Sequence, residues 1–371
     1  LRPEEISLYV GIPFCPTRCA YCSFVSADVG RALKLIDPFL DALCRELAAT
    51  GAMLADAGLR VRTVYFGGGT PSHIGMSRLS MLLYTLSLSM RLEPDVECTM
   101  EANPESLDER MVRDIWALGV NRLSIGVQSF DDAVLQTLGR AHDADAARRA
   151  IAVAQERFDN VSLDLMCGIP GQSVESFAAS VDDAVCLGVT HVSVYPLTIE
   201  PFTRFDKMVA RGELEEPDDD VEAEHMEIAE RILVEAGFHR YEVASYAKPG
   251  FECRHNKAYW TGVPYLGLGR AAATMTQNAE RRMRVQDGVV TDDLDPRQMA
   301  AEDLMLGMRM SEGVSQELID RAAVLIPRTS EVVDDLVDRG LAFRDGDRLK
   351  PTKQGWLCGN ELYGALLDLA P

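Results

Sequence analysis

Three cysteines near the start of the chain form its most chemically specific pattern. Cys15, Cys19 and Cys22 stand with three and then two residues between them, in the string YVGIPFCPTRCAYCSF. Soft thiolate ligands on one short loop suit zinc or an iron–sulfur cluster. A structural zinc site is normally closed by a fourth ligand, for which Ser23 and Phe24 are poor candidates. The spacing therefore favours a [4Fe–4S] cluster with one open iron, and the alternatives are a zinc site completed from elsewhere or reduced structural cysteines.

This segment resembles the signature of the radical S-adenosylmethionine (SAM) enzymes, in which an aromatic residue, here Tyr21, precedes the third cysteine. The fuller string is similar to the branch that contains oxygen-independent coproporphyrinogen III oxidase (HemN) and the haem chaperone HemW. The resemblance implies a [4Fe–4S] cluster on Cys15, Cys19 and Cys22, with SAM chelating the open iron and undergoing reductive cleavage to a 5′-deoxyadenosyl radical. It also implies an electron donor of flavodoxin or ferredoxin type. Whether the chain is an enzyme in its own right stays open.

Polar residues recur where successive predicted strands end. Gly67-Gly68-Gly69-Thr70-Pro71 follows one strand, Glu101 ends the next, and Gln128 ends a third, with Arg140 twelve residues on. Asp164 stands among apolar strand residues, where a charge is costly unless it is paired or bound to a ligand. Taken alone, the glycines also fit a tight turn and Glu101 fits a helix cap. The resemblance assigns SAM binding to Tyr9, Tyr21, Gly68, Gly69, Thr70, Glu101, Gln128, Arg140 and Asp164.

The elements that position these residues alternate between strand and helix. The predicted strands are Ile6–Val10, Arg62–Phe66, Val96–Glu101, Arg122–Val127, Val161–Met166 and His191–Pro196, with helical patterns between them. Such alternation predicts a parallel sheet whose sites lie at the carboxyl ends of the strands. Periodicity does not separate a barrel from an open doubly wound sheet. The resemblance implies the former, so we expect a partial (β/α)6 radical SAM barrel over residues 1–240.

Two further segments follow the predicted barrel. Residues 241–296 predict an irregular extension with short strands. Residues 297–371 combine helical patterns with a hairpin around Gly346, which predicts a small α+β domain of winged-helix type, resembling the C-terminal domain of the HemN group.

The extension carries the residues that bear on a tetrapyrrole partner. The segment from Cys253 to Trp260 resembles the His-Asn-x-x-Tyr-Trp motif of the HemW branch, which makes His255 a candidate haem ligand; an ordinary buried or surface histidine fits equally well. Phe24 stands where the oxidase carries a further cysteine. Arg270 and the residues after it stand where family members usually have a histidine. The cluster Arg281, Arg282 and Arg284 could hold propionates, although a solvated run of charges is the simpler prediction.

Composition limits the partners and the compartment. The 371 residues carry a net charge of −21, which argues against nucleic acid as a partner because phosphate binding needs a cationic surface. No apolar run reaches the ~18 residues expected of a membrane-spanning helix, and the N-terminal residues lack a signal-peptide pattern. Nine cysteines, six of them scattered singly outside the three-cysteine loop, fit a reducing cytoplasm.

The sequence therefore predicts a cytoplasmic radical SAM protein with a tetrapyrrole partner. The first hypothesis is a HemW-like protein that binds haem and delivers it to acceptors. The second is an oxygen-independent coproporphyrinogen III oxidase that decarboxylates propionates. The third is a radical SAM methyltransferase acting on another substrate.

Overall fold

The computed structural model describes residues 5–24 and 26–371. Its central feature is one long sheet to which strands from the first three quarters of the chain contribute. The first strands are β1 (Glu5–Ile12), β2 (Phe14–Cys15), β3 (Ala27–Asp28), β4 (Arg60–Gly68), β5 (Leu92–Ala102), β6 (Arg122–Gln128), β7 (Val161–Cys167) and β8 (His191–Pro196). Of these, β1 and β4 to β8 lie side by side in chain order and are parallel. The short strands β2 and β3 pair with each other beside the cysteine loop.

Helices cover one face of this parallel sheet. The helices of this part are α1 (Val29–Asp56), α2 (Met76–Ser89), α3 (Glu109–Ala117), α4 (Asp132–Leu138), α5 (Ala144–Gln155), α6 (Val174–Cys186), α7 (Arg204–Ala210) and α8 (Asp219–Glu235). Of these, α4 and α7 pack against Ala20 of the cysteine loop rather than on the main core. Several begin at side chains that accept a backbone N–H, as expected for N-caps: Asp108, Asp131, Asp143, Ser173 and Asp218. The apolar spacing of Leu40, Leu43, Leu47 and Leu54 predicts a helix from Leu35 to Ala57, and α1 begins six residues earlier, at Val29.

The two faces of the sheet differ in chemistry. Because successive side chains of a strand point to opposite faces, β7 directs Val161, Leu163 and Leu165 into the main hydrophobic core. Its alternate residues, Ser162 and Asp164, bond to polar groups of neighbouring strands. The same alternation recurs along the other parallel strands. The outer face therefore binds the helices by apolar burial, and the inner face forms a polar lumen.

The segment after the barrel is more regular than expected. It contains β9 (His239–Arg240), β10 (Ser245–Ala247), α9 (Arg254–Trp260), β11 (Tyr265–Leu268), β12 (Ala273–Gln277), β13 (Arg282–Gln286) and β14 (Val289–Leu294). Strand β11 pairs in parallel with β1, and β12 to β14 extend that edge antiparallel. At the other edge β8 pairs with antiparallel β10. The extension thus belongs to the same sheet as the barrel strands. The domain boundaries at residues 240 and 296 stay a prediction.

The last part of the chain forms its own hydrophobic core. Its elements are α10 (Pro296–Gly307), β15 (Val314–Ser315), α11 (Gln316–Leu325), α12 (Thr329–Asp338), β16 (Ala342–Asp345), β17 (Arg348–Pro351), α13 (Lys353–Leu357) and α14 (Gly359–Leu367). The predicted hairpin is present as β16 and β17, and β15 makes it a three-stranded sheet. This arrangement agrees with the expected α+β fold. Over the described residues, no helix combines the length and the apolar character needed to cross a membrane.

Candidate functional site

The carboxyl ends of the parallel strands surround a cavity of about 160 Å³, which we call the cluster cavity. Nearly all the residues singled out from the sequence line it. They are Cys15, Cys19, Tyr21, Cys22, Gly68, Gly69, Thr70, Glu101, Gln128, Arg140 and Asp164. Of the predicted set, only Tyr9 and His255 lie outside this lining. The roles given to these residues remain predictions, but their convergence is a property of the fold.

The glycine-rich turn holds the cysteine loop. The backbone N–H of Gly69 donates to the carbonyl of Ile12 at 2.9 Å, and that of Thr70 donates to the carbonyl of Phe14 at 2.7 Å. A Cβ on Gly69 would lie 2.5 Å from the Phe14 carbonyl oxygen, so only glycine permits this approach. These two amides dock the first cysteine beside the strand ends.

The thiols receive polar support from the same elements. The hydroxyl of Thr70 donates to Cys15 Sγ at 3.7 Å, and Nη1 of Arg140 donates to Cys19 Sγ at 3.3 Å. Burial raises the pKa of the Cys15 and Cys22 thiols. Metal binding requires thiolates, so a bound cationic centre would offset this burial penalty. Among residues 5–24 and 26–371, no three His, Cys, Asp or Glu side chains lie together in a ready single-ion site.

Arg140 connects the cysteine loop to the strand ends. Its Nη2 donates to Asn103 Oδ1 at 2.8 Å and to the Gly126 carbonyl at 2.6 Å. Its Nε is buried without a hydrogen-bond partner, which is costly and typical of sites where a ligand completes the bonding. Asn103 also donates to the Thr70 hydroxyl at 3.1 Å. The sequence reasoning did not single out Asn103 as a site residue; its only signal is its position directly after a strand.

Two carboxyl groups face the cluster cavity from neighbouring parts of the sheet. Burial, with repulsion from Asp164, raises the pKa of Glu101 to about 7. Burial also raises the pKa of Asp164 to about 6, although Arg122 and the Ser124 hydroxyl favour its ionised form. Glu101 accepts a bond from the Gly68 N–H at 3.1 Å. Such carboxylates suit a ligand that brings a positive charge or hydroxyl donors.

Gln128 adopts a strained backbone at the end of β6. Its φ is +70°, in the left-handed region that costs a non-glycine residue roughly 1–2 kcal/mol. A register shift between Gly126 and Gln128 accompanies it, and the residue lines the cluster cavity. Strain of this kind is common at ligand sites. Like Asn103, Ser124 lines the cavity and was not predicted.

A second cavity, of about 450 Å³, adjoins the first and shares Gly68 and Phe24 with it. Tyr9 lines this second space together with Tyr259 and Tyr265. We call it the tyrosine cavity. Burial raises the pKa of the Tyr9 hydroxyl above its usual value, with a smaller contribution from the Glu101 carboxylate. Tyr9 therefore stays protonated near neutral pH and can donate a hydrogen bond.

His255 lies in the interior beside this cavity. Only 1% of it is exposed, its Nδ1 shares a hydrogen bond of 2.8 Å with the Thr63 hydroxyl, and its Nε2 shares one of 3.1 Å with the Tyr259 hydroxyl. Burial, together with the charge of Arg122, lowers the pKa of the ring to about 3. Neither nitrogen is free in this arrangement. Haem ligation by His255 stays a prediction, and it requires one of these bonds to break.

The three clustered arginines are neither solvated as a group nor free to bind an anion. Arg282 is buried and pairs with Glu302 and Asp303. Arg284 also pairs with Glu302, and Arg281 pairs with an aspartate on β14. Acidic residues on the neighbouring elements thus neutralise the three arginines. This corrects both predictions made for them, a solvated run of charges and a site for propionates.

The fold and the site define a parallel β/α barrel with a three-cysteine loop at the carboxyl ends of its strands, and comparison with known proteins agrees. The model of the radical SAM superfamily matches residues 9–184. The haem chaperone HemW of Bacillus subtilis is 34% identical over 97% of this chain and 99% of its own length. HemW of Mycobacterium tuberculosis is 39% identical over 98% of this chain and 95% of its own length. The chain belongs to the radical SAM superfamily and, within it, to the HemW family.

A solved structure supports the fold independently. Coproporphyrinogen III oxidase (HemN) from Escherichia coli, described as a radical SAM enzyme, superposes with a TM-score of 0.83. The match covers 98% of this chain and 90% of that one, at 21% sequence identity. At this identity it shows the shared architecture alone. Membership of the superfamily implies a [4Fe–4S] cluster and SAM.

Proposed function

We propose that this protein binds haem and delivers it to acceptor proteins, and that it carries a [4Fe–4S] cluster and SAM. The observation that carries the proposal is near-full-length similarity to proteins named haem chaperone HemW. Phe24, in place of the further cysteine that the resemblance led us to expect in an oxidase, agrees with it.

In this proposal Cys15, Cys19 and Cys22 hold the cluster. Three thiols around one cavity suit a cluster that keeps one iron for a small ligand. Arg140 stabilises the negative charge on the sulfur of Cys19, because its guanidinium lies 3.3 Å away. The turn at Gly69 and Thr70 fixes the loop at its first cysteine through two backbone hydrogen bonds.

The remaining residues of the cluster cavity hold SAM. Glu101 and Asp164 supply negative charge for its cationic groups, and Gln128 and the free Nε of Arg140 supply polar contacts. Tyr9 would contact SAM from the tyrosine cavity, and the half-buried Tyr21 would contact it from the cysteine loop. When bound and reduced, the cluster and SAM supply radical chemistry, for which a flavodoxin- or ferredoxin-type protein is the proposed electron donor.

We also propose a cytoplasmic location. All nine cysteines are free, and unpaired thiols persist in a reducing compartment. Measuring the protein in separated cell fractions tests this point.

The test of function is anaerobic reconstitution of the cluster, followed by parallel assays with haem and with coproporphyrinogen III. We expect a stable haem complex, transfer of that haem to an apo-acceptor, and no carbon dioxide from coproporphyrinogen. Carbon dioxide release with consumption of SAM would identify an oxidase instead. Failure to bind either tetrapyrrole would overturn the proposal and leave a radical SAM protein with another substrate.

A further inference from the structure

The tyrosine cavity has a size and a lining that the cluster and SAM do not account for. At about 450 Å³ it lies within the range of small-molecule sites. Its walls include the rings of Tyr9, Tyr259, Tyr265 and Phe24, and among the described residues no aspartate or glutamate lines it. In a chain with a net charge of −21, a cavity without a lining carboxylate is a place where an anionic aromatic ligand avoids repulsion.

One cation stands at the rim of this cavity. Arg270 is exposed and lines it. In the part of the chain that the structure describes, its guanidinium makes no ion pair or hydrogen bond, whereas the nearby Arg281, Arg282 and Arg284 are all paired with carboxylates. An unpaired guanidinium retains its full capacity for a bidentate bond to a carboxylate.

The backbone around Arg270 is held in place. The Ala271 N–H donates to Asp287 Oδ1 at 2.9 Å, and the Ala271 carbonyl accepts from Gln286 Nε2 at 2.7 Å. The Gly269 N–H donates to Glu46 Oε2 at 3.1 Å. Two nearby carboxylates therefore bond to the backbone rather than to the guanidinium. Ala271 itself has a φ of +61°, a conformation maintained by these bonds, so the side chain of Arg270 projects from a defined turn.

We propose that the tyrosine cavity binds a planar aromatic ligand that carries ionised carboxylates, with the ring against the tyrosines and one carboxylate on Arg270. Resting on the proposed function, the inference identifies this ligand as haem and makes Arg270 a propionate-binding residue. The cavity adjoins the cluster cavity through Gly68 and Phe24, so the ligand would lie next to bound SAM. Ring contacts supply affinity, and the arginine sets orientation.

The experiment compares haem with its dimethyl ester, in which both carboxylates lose their charge. Binding is measured by absorbance titration of the full chain with its cluster, for the wild type and for Arg270→Ala, Arg270→Lys and Arg270→Glu. Arg281→Ala is the matched control, because it also removes one exposed arginine from the extension. Cluster absorbance and thermal unfolding verify that each variant is folded.

We expect Arg270→Ala to weaken haem binding by about tenfold, the typical size of a charge-assisted hydrogen bond. Arg270→Lys should lose less and Arg270→Glu more, while Arg281→Ala binds as the wild type does. The dimethyl ester should bind the wild type and Arg270→Ala with the same affinity.

Three results overturn the inference, and they are distinguishable. Equal haem affinity of the wild type and Arg270→Ala, or loss of SAM binding rather than haem binding in that variant, removes Arg270 from the haem site and leaves the proposed function standing. A wild-type protein that binds neither haem nor its ester overturns both.

Discussion

Two glutamates on the same strand and the same face of the sheet show how differently the two ends of the lumen are built. Glu97 is buried and accepts the backbone N–H groups of Arg254 and His255 at 2.9 and 3.0 Å. It thereby caps the start of α9, where the N–H groups would otherwise be unpaired. Four residues on, Glu101 accepts one backbone bond, from Gly68, and faces a cavity. One end of the lumen is closed by protein, and the other is left for a ligand.

The difference explains why α9 lies where it does. Its first turn fills the end of the lumen opposite the carboxyl ends of the strands. There His255 shares a hydrogen bond with Thr63 on β4, and its ring centroid lies 5.0 Å from that of Tyr65. At this end Glu97 and His255 are satisfied by other protein groups, while Arg122 Nε is buried without a hydrogen-bond partner. At the carboxyl end, Arg140 Nε lacks a partner and the pKa of two carboxyl groups is raised. An open cavity lined by two carboxyl groups with raised pKa values, rather than polarity itself, distinguishes the site from the end of the lumen that α9 fills.

Substitutions in the cysteine loop should have the largest effect, because they remove the proposed ligands at the open end of the lumen. Replacing Cys15, Cys19 or Cys22 with alanine should abolish the brown chromophore after anaerobic reconstitution, because two thiolates cannot replace three. The measurement is visible absorbance together with iron content. Cys358→Ala is the control, since Cys358 is an exposed free thiol far along the chain. A full chromophore in any of the three loop variants would contradict the ligand assignment.

The two glutamates permit a matched pair of variants. Glu97→Ala should lower the free energy of unfolding by about 2–3 kcal/mol, because it leaves buried N–H groups of α9 unpaired. Glu101→Ala should cost less stability, since burial disfavours its ionised carboxyl group and offsets the bonds from the Gly68 N–H and the Tyr65 hydroxyl, yet it should weaken SAM binding. Denaturant unfolding and SAM titration, done on both variants, give the contrast. If Glu97→Ala weakened SAM binding as much as Glu101→Ala, the two ends of the lumen would not be independent.

The barrel could be predicted from the sequence, but the position of α9 inside one end of the lumen could not. Strand and helix patterns such as those of β7 and α6 are local, since apolar periodicity is decided by immediate burial. Helix α9 has Cys253 at its N-cap with no side-chain cap bond, and its cap comes from Glu97, 158 residues before His255. Arg282 likewise looked solvated because its partner Glu302 lies 20 residues on. Asn103 was missed because asparagine after a strand is common in turns. Interactions between distant residues leave no local pattern.

The raised pKa values predict how SAM binding depends on pH. Between the unfolded-state pKa of about 4.3 and the folded value of about 7 for Glu101, the folded apo-protein holds more protons than the unfolded chain. Its stability should therefore fall as pH rises through that window. A cationic ligand favours the ionised forms of Glu101 and Asp164, so SAM affinity should rise between pH 5.5 and 7.5, by up to about tenfold per unit below each pKa.

Isothermal titration at several pH values measures this dependence. Glu101→Gln removes the upper titration and should flatten the curve above pH 6, leaving the contribution of Asp164, whose pKa is about 6. Tyr9 and Tyr65 also face Glu101, but their pKa values are raised and they do not titrate in this range. An unchanged pH profile in Glu101→Gln would mean that SAM does not contact this carboxyl group.

The smallest effect concerns the strained residue at the end of β6. Gln128→Gly should raise the free energy of unfolding by up to about 1 kcal/mol, because glycine adopts a φ of +70° without the penalty paid by glutamine; the greater entropy of glycine in the unfolded chain reduces the gain. The same change should weaken SAM binding, because it removes the amide from the cluster cavity. A matched change at another residue with positive φ, Ala271→Gly, should relieve similar strain without altering SAM affinity. If Gln128→Gly stabilises the protein and weakens SAM binding, while Ala271→Gly leaves SAM binding unchanged, the strain at Gln128 is retained for ligand binding. If Gln128→Gly instead lowers the free energy of unfolding, the Gln128 side chain stabilises the fold itself.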